Sequence, residues 1–232
     1  MFNKEKIKLL AFDADDTLWD CQDYFDDVEA AYAKILSPYG SREEVSARLF
    51  ATETANLPVT GYGTKAFTLS LVENAIAISD ARIPATDIMR ILQLGLSLLE
   101  LPGDPLPGVE DTLLKLRHSG KYGMVVFTKG ELLDQQNKLH RSGLRPLFDD
   151  IVVVADKTEP EYQRLCERTG VGIGELLMVG NSFKSDISPV LGMGGYAAYI
   201  PHNMWQQEHI EEYDHDHLLR LDAFNALTKY LL

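Results

Sequence analysis

The sequence predicts an α/β protein: a three-layer fold in which helices cover both faces of a parallel sheet, interrupted early by a block of four helices. Three observations carry that expectation. A short apolar run over Ile7–Asp13 ends abruptly in carboxylates, the pattern of a buried parallel strand. From Tyr24 to about Glu100, apolar residues recur at helical intervals with almost no strand signal. Beyond Leu101–Gly108, helix-like and strand-like segments alternate.

In the helical block, Val28, Tyr32, Ile35 and Leu36 mark a first helix that Pro38-Tyr39-Gly40 terminates. Ser41-Arg42-Glu43-Glu44 has the form of a capping box and opens a second. Phe67, Leu71, Val72, Ala75 and Ile78 mark a third, and Ile88, Ile91, Leu92 and Leu99 a fourth. The proline- and glycine-rich stretch Leu101–Gly108 reads as a linker. Helix Val109–Ser119 then leads to strand Tyr122–Phe127, and helix Leu132–Arg141 to strand Ile151–Val154. Helix Glu159–Arg168 precedes strand Leu176–Val179, and Tyr196–Ile200 is a last short strand. The first strand is too short to be stable alone, so it belongs to the same sheet and the helical block is an insertion.

Composition narrows the function classes. Lys and Arg number 22 against 35 Asp and Glu in 232 residues, a formal charge of −13. That balance disfavours nucleic acid and anionic membrane surfaces as partners. Cys21 and Cys166 are two isolated thiols with no disulfide framework or zinc spacing, which fits a reducing compartment. With no apolar leader and no run of membrane-spanning length, the expectation is a cytoplasmic protein, a monomer or weak dimer.

Ligands of open α/β sheets bind just outside the carboxyl ends of the strands, where Asp13 and Asp15 emerge. If the strand stayed extended that far, its two-residue period would point both the same way. Two such charges 4 Å apart repel by about 4 kcal/mol at an effective dielectric of 20. A divalent cation or acid–base work would resolve the conflict; a solvated acidic loop is the plainer alternative. Three further polar clusters sit where later strands end: Phe127-Thr128-Lys129-Gly130, Asp156-Lys157, and Gly180-Asn181-Ser182-Phe183-Lys184-Ser185-Asp186. Together they suit an anionic phosphoryl group plus Mg2+.

In this order the clusters resemble the haloacid dehalogenase-like hydrolase superfamily, in its branch with a helical cap inserted after the first motif. Asp13-Ala14-Asp15-Asp16-Thr17-Leu18 resembles the first motif, Thr128 the threonine of the second, Lys157 the lysine of the third, and Asn181 with Asp186 the acidic pair of the fourth. The resemblance implies a Rossmann-like core over residues 1–19 and 103–232 with a four-helix cap over 20–102. It implies Asp13 as a nucleophile that forms an aspartyl-phosphate, and Asp15 as general acid and then base. It implies Mg2+ on a carboxylate oxygen of Asp13, the backbone carbonyl of Asp15, and one or both of Asn181 and Asp186. Thr128, the amide of Lys129 and the Lys157 ammonium complete the phosphate cradle. An acid at Asp15 favours a phosphoester over a halide, since an alkoxide needs a proton to leave. The implied substrate is a small phosphorylated metabolite; a phosphomutase, or a non-catalytic metabolite sensor, is the alternative. Asn181 departs from the family pattern, which has aspartate there, and leaves open whether it or Asp186 touches the metal.

Tyr62 and Lys65 lie in a glycine-bearing turn between helices of the block, where caps of this family meet substrate; a solvated loop is the plainer reading. His215 and His217, interleaved with Asp214 and Asp216, lack a third metal ligand at usual spacing and read as a solvated acidic segment. Lys184 reads as a surface charge, and Trp19 and Cys166 as packing.

Overall fold

The computed structural model describes residues 2–232. The chain divides into two compact units, Met1–Gln22 with Pro102–Leu232, and Asp23–Leu101.

The first unit is built on six parallel strands: β1 (Leu9–Phe12), β2 (Gly123–Lys129), β3 (Asp150–Val154), β4 (Leu176–Gly180), β5 (Tyr196–Tyr199) and β6 (Leu218–Arg220). Their spatial order is β3-β2-β1-β4-β5-β6. Alternate residues of each strand face opposite cores. Leu10, Phe12, Met124, Val126, Leu177 and Val179 face one core, with the helices Val109–Ser119, Leu132–Arg141 and Leu227–Leu231. Leu9, Ala11, Val125, Phe127, Leu176 and Met178 face the other, with Glu159–Thr169 and Ser188–Gly192. The predicted parallel α/β architecture is therefore the observed one. β6 is an addition that the sequence did not signal.

Strands β1 to β3 run outward from the centre on one side and β4 to β6 on the other. β1 and β4 are neighbours, in register from Leu9↔Leu176 to Phe12↔Val179. The order of the strands reverses at this pair, and the crevice at the carboxyl ends there is where a ligand fits in such a sheet.

The second unit holds four helices: α1 (Gln22–Ile35), α2 (Arg42–Thr60), α3 (Thr64–Ile78) and α4 (Ala85–Ser97). The helices of the first unit continue the numbering as α5 to α9 in the chain order Val109–Ser119, Leu132–Arg141, Glu159–Thr169, Ser188–Gly192 and Leu227–Leu231. The capping box is formed at α2, with Ser41 N donating to Glu44 Oε2 and Glu44 N to Ser41 Oγ. Helix α3 packs against both α2 and α4. In the interior, Asn74 Nδ2 donates to Tyr32 Oη, which donates to the Leu71 carbonyl.

Gly95 sets the spacing of α3 and α4, because a Cβ there would lie 2.3 Å from Thr68 Oγ1. Gly95→Ala gains about 1 kcal/mol of helix propensity, but overpacking a tight contact costs about 1–3 kcal/mol. We expect a lower melting temperature for Gly95→Ala, recovered only in part in Gly95→Ala/Thr68→Ala, because the Thr68 Cβ that alanine keeps lies 2.8 Å from the added carbon. A single variant that melts at or above the wild type would rule out the close approach.

Candidate active site

The site starts at the last rung of β1, where Asp13 N donates to the Val179 carbonyl of β4 at 2.9 Å. The chain then reverses: Thr17 N and Leu18 N both donate to the Ala14 carbonyl, at 3.2 and 2.8 Å. Asp16 takes the left-handed conformation, φ +60°, which a short polar side chain tolerates better than most. Its carboxylate accepts from Cys21 N and Gln22 N at 2.8 and 2.9 Å. Asp16 is thus tied to the start of α1. Because extension stops at Phe12, Asp13 and Asp15 do not form the aligned pair that an unbroken strand would give. Each carboxylate has its own network.

Lys157 organises the first network. Its Nζ lies 2.5 Å from Asp13 Oδ1 and 2.6 Å from Asp186 Oδ1, and the three side chains are almost wholly buried. Thr17 Oγ1 lies 3.1 Å from both Asp13 Oδ2 and Asn181 Oδ1. Asn181 Nδ2 donates to the Asn203 carbonyl at 3.2 Å, so the amide presents its oxygen toward Thr17. Asp186 rides on a π-helical turn, Phe183–Ile187, and its Oδ2 accepts from Ser182 N at 3.0 Å. A Cβ on Gly180 would sit 2.2 Å from that same oxygen, so the residue before Asn181 has to be glycine. Burial pushes the Asp13 carboxyl up to about 7, and the charge of Asp186 adds to it, while Lys157 pulls it back. Burial opposes the Lys157 charge, but Asp13 and Asp186 outweigh it and raise the ammonium above its ordinary range.

The second network holds Asp15. Lys138 Nζ reaches both carboxylate oxygens, at 2.7 and 2.8 Å. Gln135 Nε2 donates to Oδ2 at 2.7 Å and the Trp19 indole N–H to Oδ1 at 2.8 Å. Burial works against the charge. The Lys138 ammonium and the hydrogen bonds from Lys138, Gln135 and Trp19 overcome it and hold the carboxyl below its usual range. Trp19 is fully buried, as the sequence suggested, and in addition it is a donor to the site.

Thr128 and Lys129 end β2 beside β1, with Thr128 buried. The Lys129 ammonium does not stand free over the site: it lies 2.8 Å from Glu208 Oε1 and 2.9 Å from Ser185 Oγ. Glu208 also accepts from Ser182 Oγ and Ser185 Oγ, at 2.8 and 2.5 Å. Lys184 donates to the Gln207 carbonyl at 2.9 Å. Burial disfavours the Glu208 charge, yet Lys129 and the two serines bring its carboxyl down to about 2.

Glu208 therefore stabilises the folded chain at neutral pH. The unfolded chain takes up the proton first as pH falls, so this stability is lost between the ordinary glutamate range and about pH 2. Glu208→Gln should cost about 2–3 kcal/mol near neutral pH, from the size of that shift. The gap from wild type, read by urea denaturation, should narrow in acid. A gap that does not change with pH would assign the loss to packing.

Lys138, Gln135 and Glu208 were not legible as site residues. The one signal was a lysine and a glutamine three apart on a polar helix just past Gly130, too common a pattern to single out. Tyr62 and Lys65 belong to the helical unit, in the turn before α3 and in its first turn. His217 Nδ1 lies 3.1 Å from the Gly195 carbonyl and its ring stacks on Tyr196, while residues 211–216 are exposed.

Asp13, Asn181 and Asp186 offer only hard oxygen donors, and Asp13 and Asp186 bring two negative charges against the one ammonium of Lys157. This donor chemistry fits Mg2+. A different group, Asp16, Asp20 and His202, has ligating atoms within 4.8 Å of one another. There His202 Nε2 lies 2.7 Å from Asp20 Oδ1 and Asp16 already holds two amides, so a hydrogen bond and the tie to the start of α1 account for it.

A family model described as haloacid dehalogenase-like hydrolase matches residues 7–194. A haloacid dehalogenase-like family hydrolase from Xanthomonas campestris superposes with a TM-score of 0.86 at 35% identity, covering 97% of this chain and 92% of that one. The glyceraldehyde 3-phosphate phosphatase of Methanocaldococcus jannaschii is 26% identical over 214 residues, 89% of this chain and 90% of the relative. The L-2-haloacid dehalogenase of Xanthobacter autotrophicus shares the fold, with a TM-score of 0.68 at 17% identity over 97% of this chain and 98% of that one.

Proposed function

Because the chain belongs to the haloacid dehalogenase-like hydrolase family, we propose that it hydrolyses phosphomonoesters of small metabolites through an aspartyl-phosphate on Asp13. The observation that carries this reading is the pairing of two buried carboxylates, Asp13 and Asp186, across Lys157 at the strand-order reversal. A third carboxylate, Asp15, stands two residues further on.

In the first step an oxygen of Asp13 attacks phosphorus and the bond to the ester oxygen breaks. Asp15 delivers a proton to that departing oxygen. In the second step water attacks phosphorus, Asp15 takes its proton, and the Asp13–phosphorus bond breaks to release phosphate. Lys157 keeps its ammonium beside Asp13 throughout and offsets the negative charge of the phosphoryl group. Thr128 and the Lys129 amide contribute donors from the end of β2. Mg2+ would be held by Asp13, the Asp15 carbonyl and one or both of Asp186 and Asn181, and would supply further charge neutralisation. An acid at Asp15 favours a phosphoester over a halide, since an alkoxide needs a proton to leave; Asp15, held ionised by Lys138, has to take up that proton before the first step.

Residues 20–102 act as the cap that selects substrate, with Tyr62 and Lys65 as contacts. Glyceraldehyde 3-phosphate heads the substrates to try, because the archaeal relative is named for it; sugar phosphates, phosphoglycolate and nucleoside monophosphates follow.

The test is phosphate release from p-nitrophenyl phosphate and from this panel, with Mg2+ and with chelator. Release that requires the metal supports the reading. Isomerisation of a sugar phosphate without release would make the protein a mutase, and binding without turnover a sensor.

A further inference from the structure

We propose that Lys138, together with Gln135, is the positioning residue for Asp15. In its kinetic consequences this rests on the phosphatase reading above; in its structural consequence it does not.

Asp15 stands at the start of the reverse turn and its side chain is about a quarter exposed, so packing alone leaves it a choice of rotamers. Polar donors from α6 remove that choice. Lys138 and Gln135 are three apart on α6 and so share a face. One ammonium spans both Asp15 oxygens, and the Gln135 amide takes Oδ2. The same Gln135 nitrogen donates to the Lys129 carbonyl at 2.9 Å. Asp15 is therefore tied through a single amide to the end of β2, where Thr128 and Lys129 stand. That amide is oriented without ambiguity, since its nitrogen faces two acceptors.

Lys138 is 2% exposed, and burying an ammonium is costly unless it is well paired. Asp134, one turn earlier, lies 3.7 Å away and adds a second carboxylate. Lys138 and Gln135 both hold the Asp15 carboxylate, so their effect on the reaction passes through Asp15. Proton transfer to a leaving oxygen depends on where Asp15 is held, and a misplacement of about 1 Å can lower the rate about 10²-fold.

The experiment compares Lys138→Met with wild type on an alkyl phosphate, glycerol phosphate, and on p-nitrophenyl phosphate, whose leaving group needs no proton. Both are read as kcat/KM, which ends at the first irreversible step, loss of the alcohol. The alkyl substrate should lose about 10²-fold, mostly in kcat, while the aryl substrate keeps its value. In an Asp15→Asn background, Lys138→Met should cost nothing further.

A second readout needs no activity. Trp19 and Trp205 are the only tryptophans, so the indole N–H spectrum holds two signals, and the Trp19 donor reports directly on Asp15. Its resonance, assigned with Trp19→Phe, should move in Lys138→Met. Should that protein fail to fold, Gln135→Met removes no charge and carries the same readouts. An unmoved Trp19 resonance overturns the proposal, as does an equal loss on both substrates. If the wild type turns over no phosphoester, the functional reading fails and the Trp19 resonance alone decides the positioning role.

Discussion

Replacing Asp13 by asparagine should abolish phosphate release and leave the protein as stable as before, or more so. An amide is no nucleophile, and loss of a nucleophile lowers turnover by at least about 10³-fold. The stability half comes from the site. Burial has pushed the Asp13 carboxyl up to about 7, so near neutral pH its charge is a cost of folding. Asparagine removes that charge, and its oxygen still accepts from Lys157. Lys157 keeps Asp186 at 2.6 Å, so no buried cation is stranded. Phosphate release and thermal melting, measured on the same preparation, check both halves. Wild-type turnover by Asp13→Asn would sink the mechanism, and a collapse in melting temperature would mean that Asp13 is structural.

Lys157→Met should have the opposite signature, losing activity and stability together. It leaves Asp13 and Asp186 buried with no ammonium between them. Removing one partner of a buried ion pair costs about 3–5 kcal/mol. The pH dependence identifies the cause. A stranded carboxyl has a folded pKa above its unfolded value, so in between the folded state binds more protons and stability falls as pH rises. The deficit of Lys157→Met should therefore be largest near neutral pH and shrink toward about pH 4, where both states carry the proton. Denaturant titrations at a series of pH values read it directly. A deficit below about 1 kcal/mol, or one that grows in acid, would show that Lys157 does not hold the two carboxylates together.

The contrast between the two variants explains which parts of the molecule could be read from the chain. The sheet was legible because each central strand is buried on both faces and reads as an apolar run, as in Leu9-Leu10-Ala11-Phe12. The helical insertion was legible because Ser41 and Glu44 announce a helix start and Leu101–Gly108 a stop. The polar residues at the strand ends stood out because carboxylates, a threonine and a lysine recur at successive strand ends in the order of the family's motifs. β6 was hidden by its length, since Leu218-Leu219-Arg220 is too short to show a period. The partners of Asp15 were hidden by their setting. Asp134-Gln135-Gln136-Asn137-Lys138 reads as the solvated face of a helix, and only the fold turns Gln135 and Lys138 inward. Glu208 ends a single 3-10 turn, Gln206–Glu208, in the connection after β5, and carries no pattern at all. Sequence reports what local spacing dictates; it is silent about a lone charge brought in from a distant loop.

The central place of β1 in the sheet also has a consequence in time. Leu9 pairs with Gly123 and with Leu176, 114 and 167 residues later in the chain. No neighbour of β1 exists until the whole helical insertion has been made. At about 5–20 residues per second of synthesis, Leu9-Leu10-Ala11-Phe12 waits roughly 6–23 s with nothing to pair with. The four helices are built from near-neighbour contacts and can fold during that interval. They then draw the ends of the long loop together before the sheet has to close it. Assembly thus passes from the insertion to the sheet, and the strand that leads into Asp13 is the last of the early residues to find its place. Ribosome-bound chains halted before Gly123 should show helical protection in residues 23–101 while β1 remains open to protease; a protected β1 at that length would reverse the order.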